Sequence, residues 1–197
     1  MTVTFMRHAH TEWNDSPKRF QGRSDVHLSE KGKQEALLKS NSMNDFEFVY
    51  SSTASRCIET VNILLEATEK IILDDRLLEI DTGEFTGKTN DEVAEENLDW
   101  WSIWQNNPKS SCFPKGENLL KLSYRICDFL NDLLDKHLET DRVLVLTHGG
   151  PIRVCKSILY KGGVNYFWDF PIENLDDFSM SHDDIRVLLK KLSKYSI

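Results

Sequence analysis

The 197-residue chain is predicted to be an α/β protein, three layers deep, with a mostly parallel central sheet covered by helices on both faces. Three observations lead there. Short β-branched and apolar runs at 3–6, 46–50, 70–73 and 142–146 alternate with segments of helical periodicity. No repeat, low-complexity tract or interdomain linker interrupts that alternation, so one domain over 1–197 is expected. Two of the runs lead into a histidine at their carboxyl end, His8 and His148. In open parallel sheets ligands bind at that end of the strands.

The elements follow in order. The first strand, at 3–6, runs directly into Arg7-His8. A polar loop at 15–25, punctuated by Pro17 and Gly22, leads to Ser29, a suitable N-cap for a helix over 30–39 that buries Ala36, Leu37 and Leu38. The strand at 46–50 ends in Ser51-Ser52-Thr53-Ala54, whose hydroxyls suit the start of a helix over 55–67. Arg56 falls in that helix's first turn, where a cation opposes the macrodipole, so a functional reason for its placement is favoured. After the strand at 70–73, residues 74–87 read as irregular, and 90–97 as a short acidic helix. An aromatic-rich excursion at about 88–116 carries Trp100, Trp101, Trp104 and Phe113, either as a lid over a pocket or as a small satellite core. The longest periodic segment is 117–136, with Leu119, Leu122, Ile126, Phe129, Leu130, Leu133 and Leu134 on one face. The strand at 142–146 precedes Thr147-His148-Gly149-Gly150, and Pro151 suits the first turn of a helix reaching about 159. Residues 175–181 and 185–189 read as a closing hairpin, with a helix as the alternative for the second.

Composition narrows the function. Hydrophobic content of 40% and charged content of 28% are those of a soluble globular protein. A net charge of −8 argues against a general nucleic-acid binder or a basic membrane-surface protein. The chain has no apolar run of membrane-spanning length and no secretory leader pattern, so a cytoplasmic location is expected. Cys57, Cys112, Cys127 and Cys155 form no CxxC pair and read as small buried hydrophobes in a reducing compartment.

An acidic protein that binds an anion must concentrate its cations locally, which makes Arg7, His8, Arg56 and His148 the residues of interest. Guanidinium offers phosphate oxygens a fork of donors. An imidazole held among such groups can attack phosphorus, and a carboxylic acid can protonate the leaving oxygen. Glu12, Asp25, Glu79 and Glu84 all qualify for that second role, and spacing does not choose among them.

Four ordered segments carry a resemblance. Arg7-His8-Ala9 with Thr11-Glu12-Trp13-Asn14 and Phe20-Gln21-Gly22-Arg23-Ser24-Asp25, then 51–60 with Arg56, then Leu77-Leu78-Glu79 with Gly83-Glu84-Phe85-Thr86-Gly87, and Thr147-His148-Gly149-Gly150 resemble the histidine phosphatase superfamily, branch 1. The resemblance implies a phosphoglycerate mutase-like fold and a phosphatase acting on a small phosphomonoester without metal or other cofactor. His8 would be the nucleophile, with Arg7, Arg56 and His148 gripping the phosphoryl group and Glu79 as acid and base. Asn14, Gln21, Gly22 and Gly149 would contact substrate. Ala9 departs from the usual glycine and His10 from a frequent glutamate. Two other activities fit the same residues: phosphoglycerate mutase-type transfer, to which the Gly149-Gly150 pair is less suited, and non-catalytic binding of a phosphorylated ligand. A His8-Ala9-His10 metal motif is a further alternative. His27, His137 and His182 match nothing and read as solvent-facing or capping residues. Oligomeric state is open.

Overall fold

The computed structural model describes residues 1–43, 45–65 and 70–193. Five strands, β1 (Thr2–Arg7), β2 (Phe48–Ser51), β3 (Ile71–Leu73), β4 (Arg142–Thr147) and β5 (Asp177–Ser181), form one sheet in the order β3-β2-β4-β1-β5. Four run parallel, with Val3 opposite Val143 and Arg7 opposite Thr147 across β1 and β4. Only β5 is antiparallel, placing Phe178 opposite Phe5 at the sheet's edge.

Side chains of β1 and β4 are sorted by the period of two. Val3, Phe5, Val143 and Val145 join one core with α5 (Leu119–Lys136), α6 (Gly149–Lys156) and α7 (His182–Ser193). Met6, Leu144 and Leu146 join the other with α1 (Glu30–Ser40) and α2 (Ser55–Leu64). Each central strand is therefore apolar on both faces, which explains runs without alternation. The result is the three-layer α/β/α architecture.

Local chemistry accounts for the helix starts. Ser29 accepts from Gly32 N and caps α1, while Asn118 accepts from Lys121 N and caps α5. Gly32 is required where α1 crosses the loop after β1, because a β-carbon there would lie 2.1 Å from His10 O.

Several local expectations are corrected. The segment at 185–189 lies in α7, not in a hairpin strand; Ile185, Leu188 and Leu192 bury one face at helical spacing. The short helix expected over 90–97 is present as α3 (Asn90–Glu96), and the stretch after it is helical as well, as α4 (Leu98–Asn106). Leu37 and Leu38 are exposed, leaving Ala36 as the buried apolar residue of α1. No hydroxyl caps α2, since its N-cap is Ala54 and Ser52 Oγ bonds His148 instead. The end of that helix expected at 66–67 falls outside the described residues. Cys112 is exposed, whereas the other three cysteines are buried. His137 is the C-cap residue of α5, as the capping reading expects, but it is not solvent-facing: its ring is buried and its Nε2 meets Tyr50 Oη at 2.9 Å. No helix among the described residues is long and apolar enough to cross a membrane.

Candidate active site

β1 and β4 are neighbours, yet the helix that follows β1 covers one face of the sheet and the helix that follows β4 covers the other. Such a divergence opens a crevice at the carboxyl ends of the two strands. His8 and His148 stand there. His8 N extends the ladder by bonding Thr147 O at 2.9 Å, and the two imidazole centroids are 5.2 Å apart, edge to face.

A cavity of roughly 260 Å3 opens beside them, a size that suits a small metabolite. Arg7, His8, Asn14, Gln21, Gly22, Arg56, Glu79 and Gly149, eight of the nine residues singled out from the sequence, line it. The ninth, His148, does not. It is wholly buried behind the wall, where Nδ1 accepts from Arg56 Nε at 3.3 Å and Nε2 meets Ser52 Oγ at 2.9 Å. In this arrangement both ring nitrogens face protein groups, Arg56 and Ser52, while the ring edge meets His8.

The His8 ring is held in one tautomer. Nδ1–H donates to Ala9 O at 2.7 Å, which leaves Nε2 unprotonated with its lone pair free. Burial, reinforced by Arg7 and then Arg56, holds its pKa well below the ordinary imidazole value. Burial acts on His148 in the same direction, followed by Arg56 and His8. Both rings are therefore neutral at physiological pH.

A stability consequence follows. The folded protein binds fewer protons than the unfolded chain once pH drops below about 6.5, the unfolded value. Stability is thus fully present above that pH and declines below it, by up to about 1.4 kcal/mol per pH unit for each ring. Denaturant unfolding at pH 7.5, 6.5 and 5.5 measures this, and equal stability at the three values would refute it.

Arg56 is fully buried, with Nη2 donating to Gly22 O at 2.8 Å and Nη1 to Ser24 O at 2.9 Å. Gly22 takes a positive φ of 48°, and a β-carbon there would strike Thr82 Oγ1, so glycine is required for this loop to present its carbonyl. Arg7 Nη1 bonds Ile172 O at 2.7 Å, but its buried Nε has no partner among the described residues. Gln21 donates to Thr11 Oγ1 while its Oε1, also buried, is without a partner.

Of the four acidic candidates, Glu79 alone lines the cavity. Its Oε1 accepts from Ile80 N at 2.8 Å and from Gly150 N at 3.1 Å, the latter at the start of α6. Arg125 secures the supporting loop by donating to the carbonyls of Arg76, Leu78 and Glu79, and is itself paired with Glu117 at 2.9 Å. Glu84 instead pairs with Lys115 on the surface.

His10 lies outside the cavity, bonded to Ser29 at 2.8 Å and Asp15 at 3.1 Å, so the two rings of the His8-Ala9-His10 triplet diverge. The aromatic excursion supplies wall and core together. Trp104 and Phe113 line the cavity, and Trp100 stacks on Trp104 behind it at 5.6 Å. Sequence reasoning missed Ser52, Arg125, Arg153, Phe167, Trp168 and Glu173. Arg153 alone had a readable signal, one helical turn beyond Gly149.

The family model for the histidine phosphatase superfamily, branch 1, matches residues 3–193. The chain belongs to that superfamily. Among its curated relatives, phosphoserine phosphatase 1 of Hydrogenobacter thermophilus is 32% identical over 193 residues, covering 95% of this chain and 90% of the relative. A probable phosphoglycerate mutase GpmB of Escherichia fergusonii is 32% identical over 152 residues, covering 76% and 70%. YhfR of Bacillus stearothermophilus superposes with a TM-score of 0.82 at 27% identity, covering 90% of this chain and 89% of its own. A mycobacterial glucosyl-3-phosphoglycerate phosphatase shares the fold, with a TM-score of 0.82 at 23% identity over 92% and 94%.

Proposed function

We propose that this phosphatase of the histidine phosphatase superfamily hydrolyses small phosphomonoesters through a phosphohistidine on His8, using its own side chains alone. The observation that carries the reading is the His8 tautomer, with Nδ1–H tied to Ala9 O and Nε2 free beside a cavity lined by Arg7 and Arg56.

In the first step the His8 Nε2 lone pair forms a bond to phosphorus as the ester P–O bond breaks. Glu79, as the carboxylic acid, gives its proton to the departing oxygen. In the second step Glu79 takes a proton from water, the water oxygen attacks phosphorus, and the N–P bond breaks to restore His8. Arg7 and Arg56 donate to the equatorial oxygens, supported by Asn14 and the Gly149 amide, where negative charge must be held. His148 is a positioning residue that orients Arg56 Nε and packs its edge on His8. Gln21 and Gly22 border the ester's alcohol portion. Four unpaired cysteines favour the cytoplasm as the site of action.

Hydrolysis is preferred over phosphoglycerate mutase-type transfer because the phosphatase-named relative matches 95% of this chain, against 76% for the mutase-named one. A panel of phosphomonoesters with chelator present tests the reading, scored for phosphate release and for an acid-labile phosphoenzyme. Isomerisation of a phosphoglycerate outrunning phosphate release would overturn it.

Gly150 offers a sharper check on Glu79. A β-carbon at Gly150 would lie 2.1 Å from Glu79 Oε1, and the atom that must yield is the tip of a flexible side chain. Gly150→Ala is therefore expected to lower kcat about 100-fold by displacing the acid. The melting temperature should stay near that of the wild type, because the core atom the new methyl approaches, Leu122 Cδ2 at 3.4 Å, is at ordinary contact distance. Full activity in a folded Gly150→Ala protein would remove Glu79 from the mechanism.

A further inference from the structure

Arg153 lines the same cavity as His8 but has no place in the chemistry above. Its Nε donates to Phe170 O at 3.0 Å, and its guanidinium carbon lies 5.1 Å from the Trp168 ring and 5.5 Å from the Phe167 ring. Stacking on aromatic faces and anchoring of Nε leave the two terminal nitrogens in a fixed plane. No carboxylate forms an ion pair with it among the described residues; Glu79 and Glu173 act on it only at longer range. Arg153 Nη1 and Arg7 Nε both lie within 4 Å of the point a side chain on Gly149 would occupy, so the two guanidiniums border one space.

A second observation points the same way. Trp104, whose ring is 5.2 Å from that of Trp168, lines the cavity, and its buried indole N–H has no acceptor among the described residues. One wall thus holds a guanidinium fork and an indole donor, neither paired with an acidic group. A phosphoryl dianion is already matched by Arg7 and Arg56, so a further cation calls for a further anionic oxygen pair on the substrate. A single guanidinium with Glu173 also at the cavity suits a monoanion better than a second phosphate dianion.

We infer that Arg153, with the Trp104 indole, binds a carboxylate on the substrate's alcohol portion, which makes the substrate the phosphoric ester of a hydroxy acid or hydroxy amino acid. This rests on the hydrolysis proposed above. The Phe167 and Trp168 rings then serve to hold that cation in position.

Matched substrate pairs that differ in the carboxylate test it: O-phosphoserine against phosphoethanolamine, and 3-phosphoglycerate against glycerol 3-phosphate. In the wild type, kcat/KM should favour the carboxylated member of at least one pair by about 100-fold, since buried donors left without their acceptor reject the analogue. In Arg153→Gln that preference should fall below about tenfold, mainly through KM, with Arg153→Lys between the two. No preference in the wild type overturns the inference without requiring any variant. Equal losses on both members of a pair also overturn it, since Arg153 would then serve the phosphoryl group or the fold. p-Nitrophenyl phosphate separates the two claims. Turnover of that ester through a phosphoenzyme, without carboxylate preference, defeats this inference alone, whereas no phosphoenzyme from any ester defeats the hydrolytic reading.

Discussion

Replacing His8 with alanine should abolish turnover, lowering kcat by at least about 10^4-fold and eliminating the acid-labile phosphoenzyme. Nothing else in the cavity can substitute. Burial pushes the Cys57 thiol up to about 12, and its sulfur lies behind the wall, 3.5 Å from His148 Nε2. The His148 nitrogens are committed to Arg56 and Ser52. The substitution should not unfold the protein, because among the described residues the ring's only hydrogen bond is to the adjacent Ala9 carbonyl, and removing a buried imidazole also removes the penalty for charging it at low pH. Inorganic phosphate should still bind, since Arg7 and Arg56 remain. Rapid-quench labelling with a 32P-labelled ester and phosphate titration of the variant distinguish the outcomes. A phosphoenzyme that persists in His8→Ala would place the nucleophile elsewhere.

Much of this fold was readable because it depends on local rules. Strands buried on both faces leave apolar runs, and Ser29 and Pro151 mark helix starts by their chemistry. The failures were those of period. Trp100 and Trp104 are four residues apart and stack in α4, but Pro108 and the polar residues 105–107 before it masked the helix. At 185–189, Ile185, Val187 and Leu189 alternate as a strand would, yet Leu188 and Leu192 bury with Ile185 at helical spacing.

The site divides along a similar line. Groups at strand ends, Arg7, His8 and His148, were readable from position, and Glu79 was selected from four carboxylates only through the resemblance. Contacts between distant segments were not readable. Nothing in the local sequence indicates that Ser52 would bond His148, that Arg125 would hold the Glu79 loop, or that Phe167 and Trp168 would stack on Arg153. Those pairings are fixed by the sheet order and the packing of α6, and a single sequence carries no direct record of either.

Arg56→Met is expected to separate what the cavity does for activity from what it does for stability. Removing the guanidinium leaves Gly22 O, Ser24 O and His148 Nδ1 without their donor, each worth about 1–3 kcal/mol against folding. Opposing this is relief of a buried cation that has no ion-pair partner among the described residues, a penalty of several kcal/mol. Methionine retains most of the volume, so no large cavity enters the balance. The opposing terms should leave unliganded stability within about 2 kcal/mol of the wild type. Catalysis has no such compensation, and kcat should fall about 10^3-fold for want of a donor to the equatorial oxygens. In the wild type, phosphate or vanadate should raise the melting temperature by supplying the counter-charge that the buried guanidiniums lack, and the variant should lose most of that rise. Calorimetry with and without ligand measures both. A variant that loses more than about 4 kcal/mol without ligand would mean Arg56 is held for the fold; one that keeps the phosphate-induced rise would mean the anion binds elsewhere.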